Sequence, residues 1–176
     1  MTLFGPLSRA TVLGAVLVAS TLLPAFADSP EMTVLAGYIG TWSGKGTLKG
    51  DQKEDVSCKM ALSKGNGEKI NYSGRCSLAG AQIAIYGTIA WVADKHHYEA
   101  AMTSGIGGFN GVAIGQRRGS DVDFDLQQRA NDNEGNDVSI SASVILSGAT
   151  IGVDFHALFN KTGYKVDASI PFAKAS

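Results

Sequence analysis

Apolar and polar residues alternate through most of this chain, in runs separated by short turns rich in glycine, asparagine and aspartate. Period-two alternation predicts β-strands with one buried face, and short turns between such strands predict an antiparallel meander. Because closure removes the exposed edges of a meander, we expect a single antiparallel β-barrel of about ten strands (8–10). The expected strands lie near 39–48, 54–63, 69–78, 82–91, 97–103, 109–117, 121–129, 137–146, 150–159 and 163–172.

One short helix is predicted before the first strand. Ser29 has the residue type of an N-cap, and Pro30 suits the first helical position. The helix is expected to end near Gly37, and the fold class is therefore all-β with a short N-terminal helix.

Residues 1–27 are typical of a secretory signal peptide. Arg9 is followed by an apolar run from Ala10 to Leu23 and by an Ala-x-Ala site that ends at Ala27. The run is shorter than the ~20 residues of a membrane-spanning helix, so a retained anchor is the less favoured alternative. We expect cleavage after Ala27, one barrel domain over 28–176 without a transmembrane helix, and export to the periplasm or the medium.

Composition excludes two classes of protein. The formal net charge is −1, whereas a nucleic-acid binder needs a concentrated basic face. Hydrophobic residues make up 44% of the chain, which is too many for a disordered protein. We therefore expect a folded protein that does not bind nucleic acid.

The two cysteines predict one disulfide. Between Cys58 and Cys76 lies the turn sequence 64–69, and a hairpin centred on Gly67 places the two cysteines directly opposite each other. Opposed strand residues are close enough to bridge, and an exported protein can keep the bond. The same register places Leu62 opposite Tyr72 and Val56 opposite Leu78. A redox-active pair is less favoured, because neither a Cys-x-x-Cys motif nor a neighbouring histidine is present.

Catalytic and metal-binding motifs are absent from the sequence. It contains no nucleophile elbow, phosphate loop or His-Glu-x-x-His motif. Asp94, His96 and Glu99 form only a loose set of metal ligands, and a solvated turn is the preferred interpretation. The polar run 131–137 lacks the spacing of an EF-hand loop and is interpreted as a hairpin turn. We expect neither an enzyme nor a metal site.

The strand after the helix carries Gly40-Thr41-Trp42-Ser43-Gly44-Lys45-Gly46. A short helix followed by a Gly-x-Trp strand resembles the opening of lipocalin-like (calycin) barrels. The longer glycine pattern is similar to nitrobindin-type haem barrels, which have ten strands. The resemblance implies that Trp42 lies at the closed end of the barrel, under an arginine from a late strand; the last strand offers Lys165 but no arginine.

The paired-cysteine hairpin and glycine-rich strands also resemble small exported proteobacterial proteins of unassigned function, a relationship that implies no activity. In nitrobindin-like proteins a late-strand histidine ligates haem iron, and His156 is the candidate here. Its alternation with Phe155 and Ala157 places it on the outer face. We therefore expect no cofactor, and haem is the less favoured alternative.

Small residues on the inward faces predict unfilled space inside the barrel. These residues are Gly74, Gly87, Ala100, Gly115, Ala142, Ala157 and Ala168. The candidate ligand-lining residues are Trp42, Ile85, Trp91, Phe124, Ile140 and Phe155. The alternative is a flattened, filled core without a cavity.

The sequence is consistent with three functions. The preferred one is an exported non-enzymatic barrel that binds a small apolar ligand. The second is a secreted inhibitor or envelope interaction protein with a filled core. The third is a small outer-membrane barrel, which is less favoured because the expected strands look shorter than the ~9–11 residues that cross a membrane.

Overall fold

The structure is a computed structural model that describes residues 29–78, 80–105, 110–132 and 134–175. The expected signal peptide and its cleavage site after Ala27 lie outside the described residues. Helix α1 spans Pro30–Ala36, and the Ser29 Oγ accepts a hydrogen bond from the Met32 amide at 3.3 Å. The predicted helix, its cap and its end before Gly37 are confirmed. None of the described helices combines the length and hydropathy needed to span a membrane.

Ten antiparallel strands form a closed barrel in which each strand pairs with its neighbour in sequence and the last pairs with the first. The strands are β1 (Gly40–Lys49), β2 (Lys53–Lys64), β3 (Lys69–Leu78), β4 (Ala81–Val92), β5 (His97–Ser104), β6 (Asn110–Arg118), β7 (Asp121–Asn131), β8 (Asp137–Ser147), β9 (Thr150–Phe159) and β10 (Tyr164–Lys174). A 3-10 turn, Ala93–Lys95, joins β4 to β5. The predicted all-β barrel is confirmed.

One end of the barrel is sealed by a continuous apolar core, which α1 covers with Met32 and Leu35. The hydroxyl of Tyr98 on β5 donates a hydrogen bond to the Glu31 carbonyl of α1 at 3.2 Å. The other buried residues of this end include Trp42, Leu62, Ile70, Ile89, Val122, Phe124, Leu146, Ile151 and Phe172. Their packing fixes the helix over the barrel, and this half is called the sealed end below.

Trp42 lies at the sealed end, as the resemblance implies. Its side chain is 1% exposed, its Nε1 donates to the Tyr38 carbonyl at 2.9 Å, and the Tyr38 ring stacks on it. The cation over the indole is Lys174, whose Nζ lies 5.8 Å from the ring centroid. Lys165, the cation that the last predicted strand offered, does not reach Trp42 and pairs with Leu158 near the other end. β10 continues to Lys174 and brings that residue opposite Trp42.

The outer face of the barrel is mainly polar and its inner face is mainly apolar. The strands are 8 to 12 residues long, so the expectation that they are too short to cross a membrane was wrong. Hydrogen-bonded pairing continues into polar strand ends where the alternation of hydrophobicity stops. The middle of the outer face carries charges such as Lys59, Arg75 and Asp125. An outer-membrane barrel has the reverse arrangement, with an apolar outer band, so this polarity argues against the third function.

Candidate functional site: the open half of the barrel

The half of the barrel opposite the sealed end has an apolar inner wall that is only partly buried. The cross-strand register places these residues on the inner face, and each is half-buried. They are Leu48, Ile83, Ile85, Met102, Ala113, Ile140, Phe155 and Val166. We call the space between them the cup. Side chains such as Trp42, Tyr98 and Phe124 at the sealed end are almost fully buried, whereas these eight are not. Four inward neighbours in the open half are also buried: Leu126, Val138, Ala157 and Ala168.

Three of the predicted lining residues lie in the cup. Ile85 is paired with Gly74 and Ser104, so it projects from β4 into the open half. Ile140 and Phe155 project from β8 and β9 on the facing wall. These three side chains face the interior from different parts of the ring of strands.

The other three predicted lining residues lie at the sealed end. Trp42 is 1% exposed and Phe124 is 2% exposed, which leaves neither a surface for a ligand. Trp91 packs edge-on against Tyr98 with ring centroids 4.9 Å apart. Alternation identifies the inward face of a strand but does not show which end of it a helix covers.

Two of the predicted small residues leave no space, because neighbouring aromatic rings fill it. A Cβ atom at Gly87 would collide with the Ala101 carbonyl oxygen and lie 2.6 Å from the Tyr72 Oη, and one at Gly115 would lie 2.5 Å from the Phe124 Cε1. Glycine opposite an aromatic residue lets the ring lie flat against the sheet. Of the predicted alanines, Ala157 and Ala168 are buried, and Ala142 is half-buried and paired with Phe155.

Tyr72 lies on the inner wall, and its hydroxyl was not predicted from the sequence as a polar group of the interior. Its hydroxyl crosses over Gly87 and donates a hydrogen bond to the Ala101 carbonyl at 3.0 Å. Burial raises the pKa of the Tyr72 phenol to about 12. The phenol is therefore neutral at physiological pH and acts as a hydrogen-bond donor that ties β3 to β5.

The remaining polar groups of the cup lie close to its rim. Glu54, Ser104 and Gln128 face inward and are half-buried. The Gln128 Nε2 donates to the Asn110 carbonyl at 2.7 Å. The cup is thus apolar in depth, with carboxylate, hydroxyl and amide groups where its walls end.

The predicted disulfide joins Cys58 and Cys76, whose Cα atoms are 4.0 Å apart. The predicted hairpin register is also confirmed, since Leu62 faces Tyr72 and Val56 faces Leu78. Both cysteines face inward, and Cys76 is paired with Ile83 of the cup. The bond therefore cross-links two strands of the cup wall from the inside.

The histidines lie away from the cup. His156 is on the outer face with its side chain 60% exposed, and its Nδ1 contacts the Asp167 carboxylate. This is the outward placement that the alternation predicts, so His156 does not reach a haem inside the barrel. His97 and Lys95 both contact the Glu99 Oε1, and these hydrogen bonds lower the pKa of Glu99.

The polar turn between β7 and β8 is organised by Asp132. Its carboxylate accepts hydrogen bonds from the Glu134 amide at 2.9 Å and from the Asn136 amide at 2.8 Å. Further bonds from the Asn136 side chain help to lower the pKa of Asp132. Across the described ranges, no three histidine, cysteine or acidic side chains come together as metal ligands.

Comparisons with known proteins agree with the barrel at the level of fold. No family model and no curated protein matches the chain, so nothing supports the resemblance to small exported proteobacterial proteins. The crystal structure of Rv2717c from M. tuberculosis superposes with a TM-score of 0.66 at 11% identity, over 84% of this chain and 99% of that one.

Two further solved structures are less similar. EF1p2_mFAP2b bound to DFHBI gives a TM-score of 0.45 at 10% identity, over 82% of this chain and 98% of that one. The S-type phycobiliprotein lyase CPES from Guillardia theta gives 0.36 at 8% identity, over 83% and 92%. At these identities a likeness extends to fold alone, and this chain shares the β-barrel fold of Rv2717c.

Proposed function

We propose that this protein is an exported, non-enzymatic barrel that binds a small, mainly apolar ligand in the cup. The observation that carries the proposal is the contrast between the two halves of the interior. Inward-facing side chains such as Ile85, Ile140 and Phe155 stay half-buried, while Trp42, Tyr98 and Phe124 of the sealed end are almost completely buried. An apolar surface of this kind gains about 25 cal/mol for each Å² that a ligand removes from water.

The rim supports a ligand with one polar end. Glu54, Ser104 and Gln128 offer acceptors and donors where the apolar walls stop. Binding sites for small molecules typically combine an apolar lining with a few polar groups that fix orientation. We therefore expect the ligand to place its apolar part in the depth of the cup and a neutral or cationic polar group at the rim.

Export is supported by the cross-linked wall. A disulfide persists in oxidising compartments, and Cys58–Cys76 is compatible with the periplasm or the medium. The signal-like sequence of residues 1–27 points the same way.

Filling the cup tests the proposal. Ala142 faces inward on β8 and Ser143 faces outward beside it, so Ala142→Trp and Ser143→Trp add the same side chain to opposite faces of one strand. The probe is N-phenyl-1-naphthylamine, whose fluorescence rises in an apolar site. We expect Ala142→Trp to weaken probe binding at least tenfold and Ser143→Trp to leave it unchanged.

Two further measurements complete that test. Urea unfolding identifies a variant that has lost its fold, and a smaller inward change, Ala142→Leu, replaces Ala142→Trp if the latter is unfolded. Native mass spectrometry of protein from its own source should show added mass that the Ala142 variant lacks. Equal probe affinity of the inward and outward variants, or no probe binding by the parent, would refute a ligand-binding cup.

An interaction protein is the second candidate, and exposed apolar residues on the outer face favour it. Tyr86, Val112 and Ile114 lie on β4 and β6, are 39% to 52% exposed, and flank β5. Native mass spectrometry separates the two functions, because an interaction protein would be recovered with a protein partner and without a small ligand.

A further inference from the structure

Two cations face each other directly on the outside of the barrel. Lys59 on β2 and Arg75 on β3 are cross-strand partners, and both are exposed. Directly opposed like charges destabilise a sheet, since side chains of such a pair are only about 5 Å apart at Cβ. Neither side chain forms a hydrogen bond or an ion pair with another described residue.

The surroundings of this pair do not compensate its charge. Its direct neighbours on the adjoining strands are Ser43 and Ala84. Its diagonal neighbours add one more cation and no acid; they are Thr41, Lys45, Ser57, Ala61, Ser73, Ser77, Gln82 and Tyr86. Asp55 comes closest, and it lies diagonally across from Lys45 on the far side of Ser57.

A groove follows the same surface. It has a volume of about 650 Å³ and runs over the outer faces of β1 to β4. Hydroxyl groups project along it beside the two cations, and an exposed aromatic ring borders it; its polar lining includes Ser57, Lys59, Ser73, Arg75, Ser77 and Tyr86. Hydroxyl donors and two adjacent cations in one concave surface provide the groups that bind an oxyanion.

We propose that this groove binds a phosphate group through Lys59 and Arg75. The planar guanidinium of Arg75 can donate two parallel hydrogen bonds to phosphate oxygens, and the ammonium of Lys59 adds a point charge from the opposite strand. The bound phosphate replaces the repulsion between the cations by two attractions. The site lies on the outside of the wall and does not depend on whether the cup holds a ligand.

Inorganic pyrophosphate is the probe for the site itself. Titration followed by amide NMR shifts should change the signals of β2 and β3, with an affinity in the millimolar range or tighter. We expect Lys59→Gln/Arg75→Gln to weaken binding at least tenfold. The matched control is Arg129→Gln/Lys165→Gln, which removes the same charge from the outer face of β7 and β10 and should bind like the parent.

Folding of the variants is checked independently. Because the two cations are exposed and repel each other, Lys59→Gln/Arg75→Gln should keep or raise the urea midpoint. If the parent shows no shifts on β2 and β3, or if the control weakens pyrophosphate binding as much as the test variant, the groove is not a phosphate site.

Vesicles identify the source of the phosphate. Sedimentation with phosphatidylglycerol vesicles, compared with phosphatidylcholine vesicles, tests a lipid headgroup. Sedimentation that Lys59→Gln/Arg75→Gln abolishes supports the site with a lipid as its source. Pyrophosphate binding without sedimentation supports it with a soluble phosphate compound as the source.

Discussion

The Tyr72 ring lies over Gly87, its cross-strand partner on the inner wall. The missing side chain of Gly87 gives the Tyr72 ring its place, and the hydroxyl finds its acceptor at Ala101. A phenol enclosed in this way resists ionisation, which links the stability of the barrel to alkaline pH.

The expected alkaline loss of stability follows from the sign of this shift. Burial raises the pKa of Tyr72 in the folded protein to about 12, and unfolding returns it to the ordinary value of 10.0. The stabilisation is therefore complete below pH 10 and is lost as the pH rises from 10 towards 12. A shift of this size corresponds to a stabilisation of at most about 2.7 kcal/mol. Because the ring is only half-buried, screening by solvent makes the actual stabilisation smaller.

Urea midpoints between pH 8 and pH 11.5 measure this loss. The urea midpoint of Tyr72→Phe should decline less than that of the parent. Part of the decline should remain in this variant, because burial also raises the pKa of Tyr38 and of Tyr98. A decline of the same size in Tyr72→Phe would show that the phenol does not contribute.

Trp42 gives a second prediction for a single side chain. Its strand carries glycine at 40, 44 and 46, so Trp42 supplies most of the contact that β1 makes at the sealed end. Truncation of a buried aromatic residue typically costs ~3–5 kcal/mol, so Trp42→Ala should lower the urea midpoint strongly. Ser43→Ala, on the outer face of the same strand, should stay within ~0.5 kcal/mol of the parent. Similar midpoints for the two variants would contradict the packing described for Trp42.

Among the structural elements, the β2–β3 hairpin is the most strongly determined. Its turn, its alternation and its disulfide all specify one register, in which Cys58 faces Cys76. Consistent local signals of this kind are the reason that the hairpin could be predicted residue by residue.

Removing the cross-link should weaken the barrel without unfolding it. Cys58→Ala/Cys76→Ala is expected to lose roughly 2–5 kcal/mol of unfolding free energy, the usual scale for a small secreted domain. The parent with its disulfide reduced is the matched control, because it retains both sulfur atoms in the wall. Intact mass before and after reduction verifies the bond, and a double variant as stable as the oxidised parent would contradict this role.

Strand positions and inward faces were predictable, whereas the functional surfaces were not. Period-two alternation is a local property, so it showed that Ile85 and Phe155 face inward. The position of a residue along the barrel depends on the registers of all ten strands and on the cap provided by α1. For that reason Trp42 and Phe124 were expected at a ligand, and Lys174 was not predicted as the cation over Trp42.

The groove over the outer faces of β1 to β4 was not predicted, for a related reason. Lys59 and Arg75 are separated by a hairpin in sequence and become neighbours only through cross-strand pairing. The predicted hairpin register already opposes them, so the signal was present in the sequence.

At the scale of the whole molecule, polarity is arranged for an aqueous exterior. The charges of β2, β3 and β7 lie on the outside at mid-strand, and the apolar rows lie on the inside with the disulfide. Exposing the outer face to lipid would bury these charges, which costs about 2–4 kcal/mol for each Lys or Arg at the bilayer midplane. The same surface in water needs no such compensation.

We therefore predict that a chain of residues 28–176 folds without detergent. After ultracentrifugation it should remain in the supernatant, and it should unfold in urea in one cooperative transition, as expected of a single domain of this size. Asp125→Val replaces an outward charge of β7 by an apolar side chain. In detergent, this variant should not fold to a greater extent than the parent. Folding that occurs only in detergent micelles would contradict the assignment of the polar face to water and would restore the outer-membrane alternative.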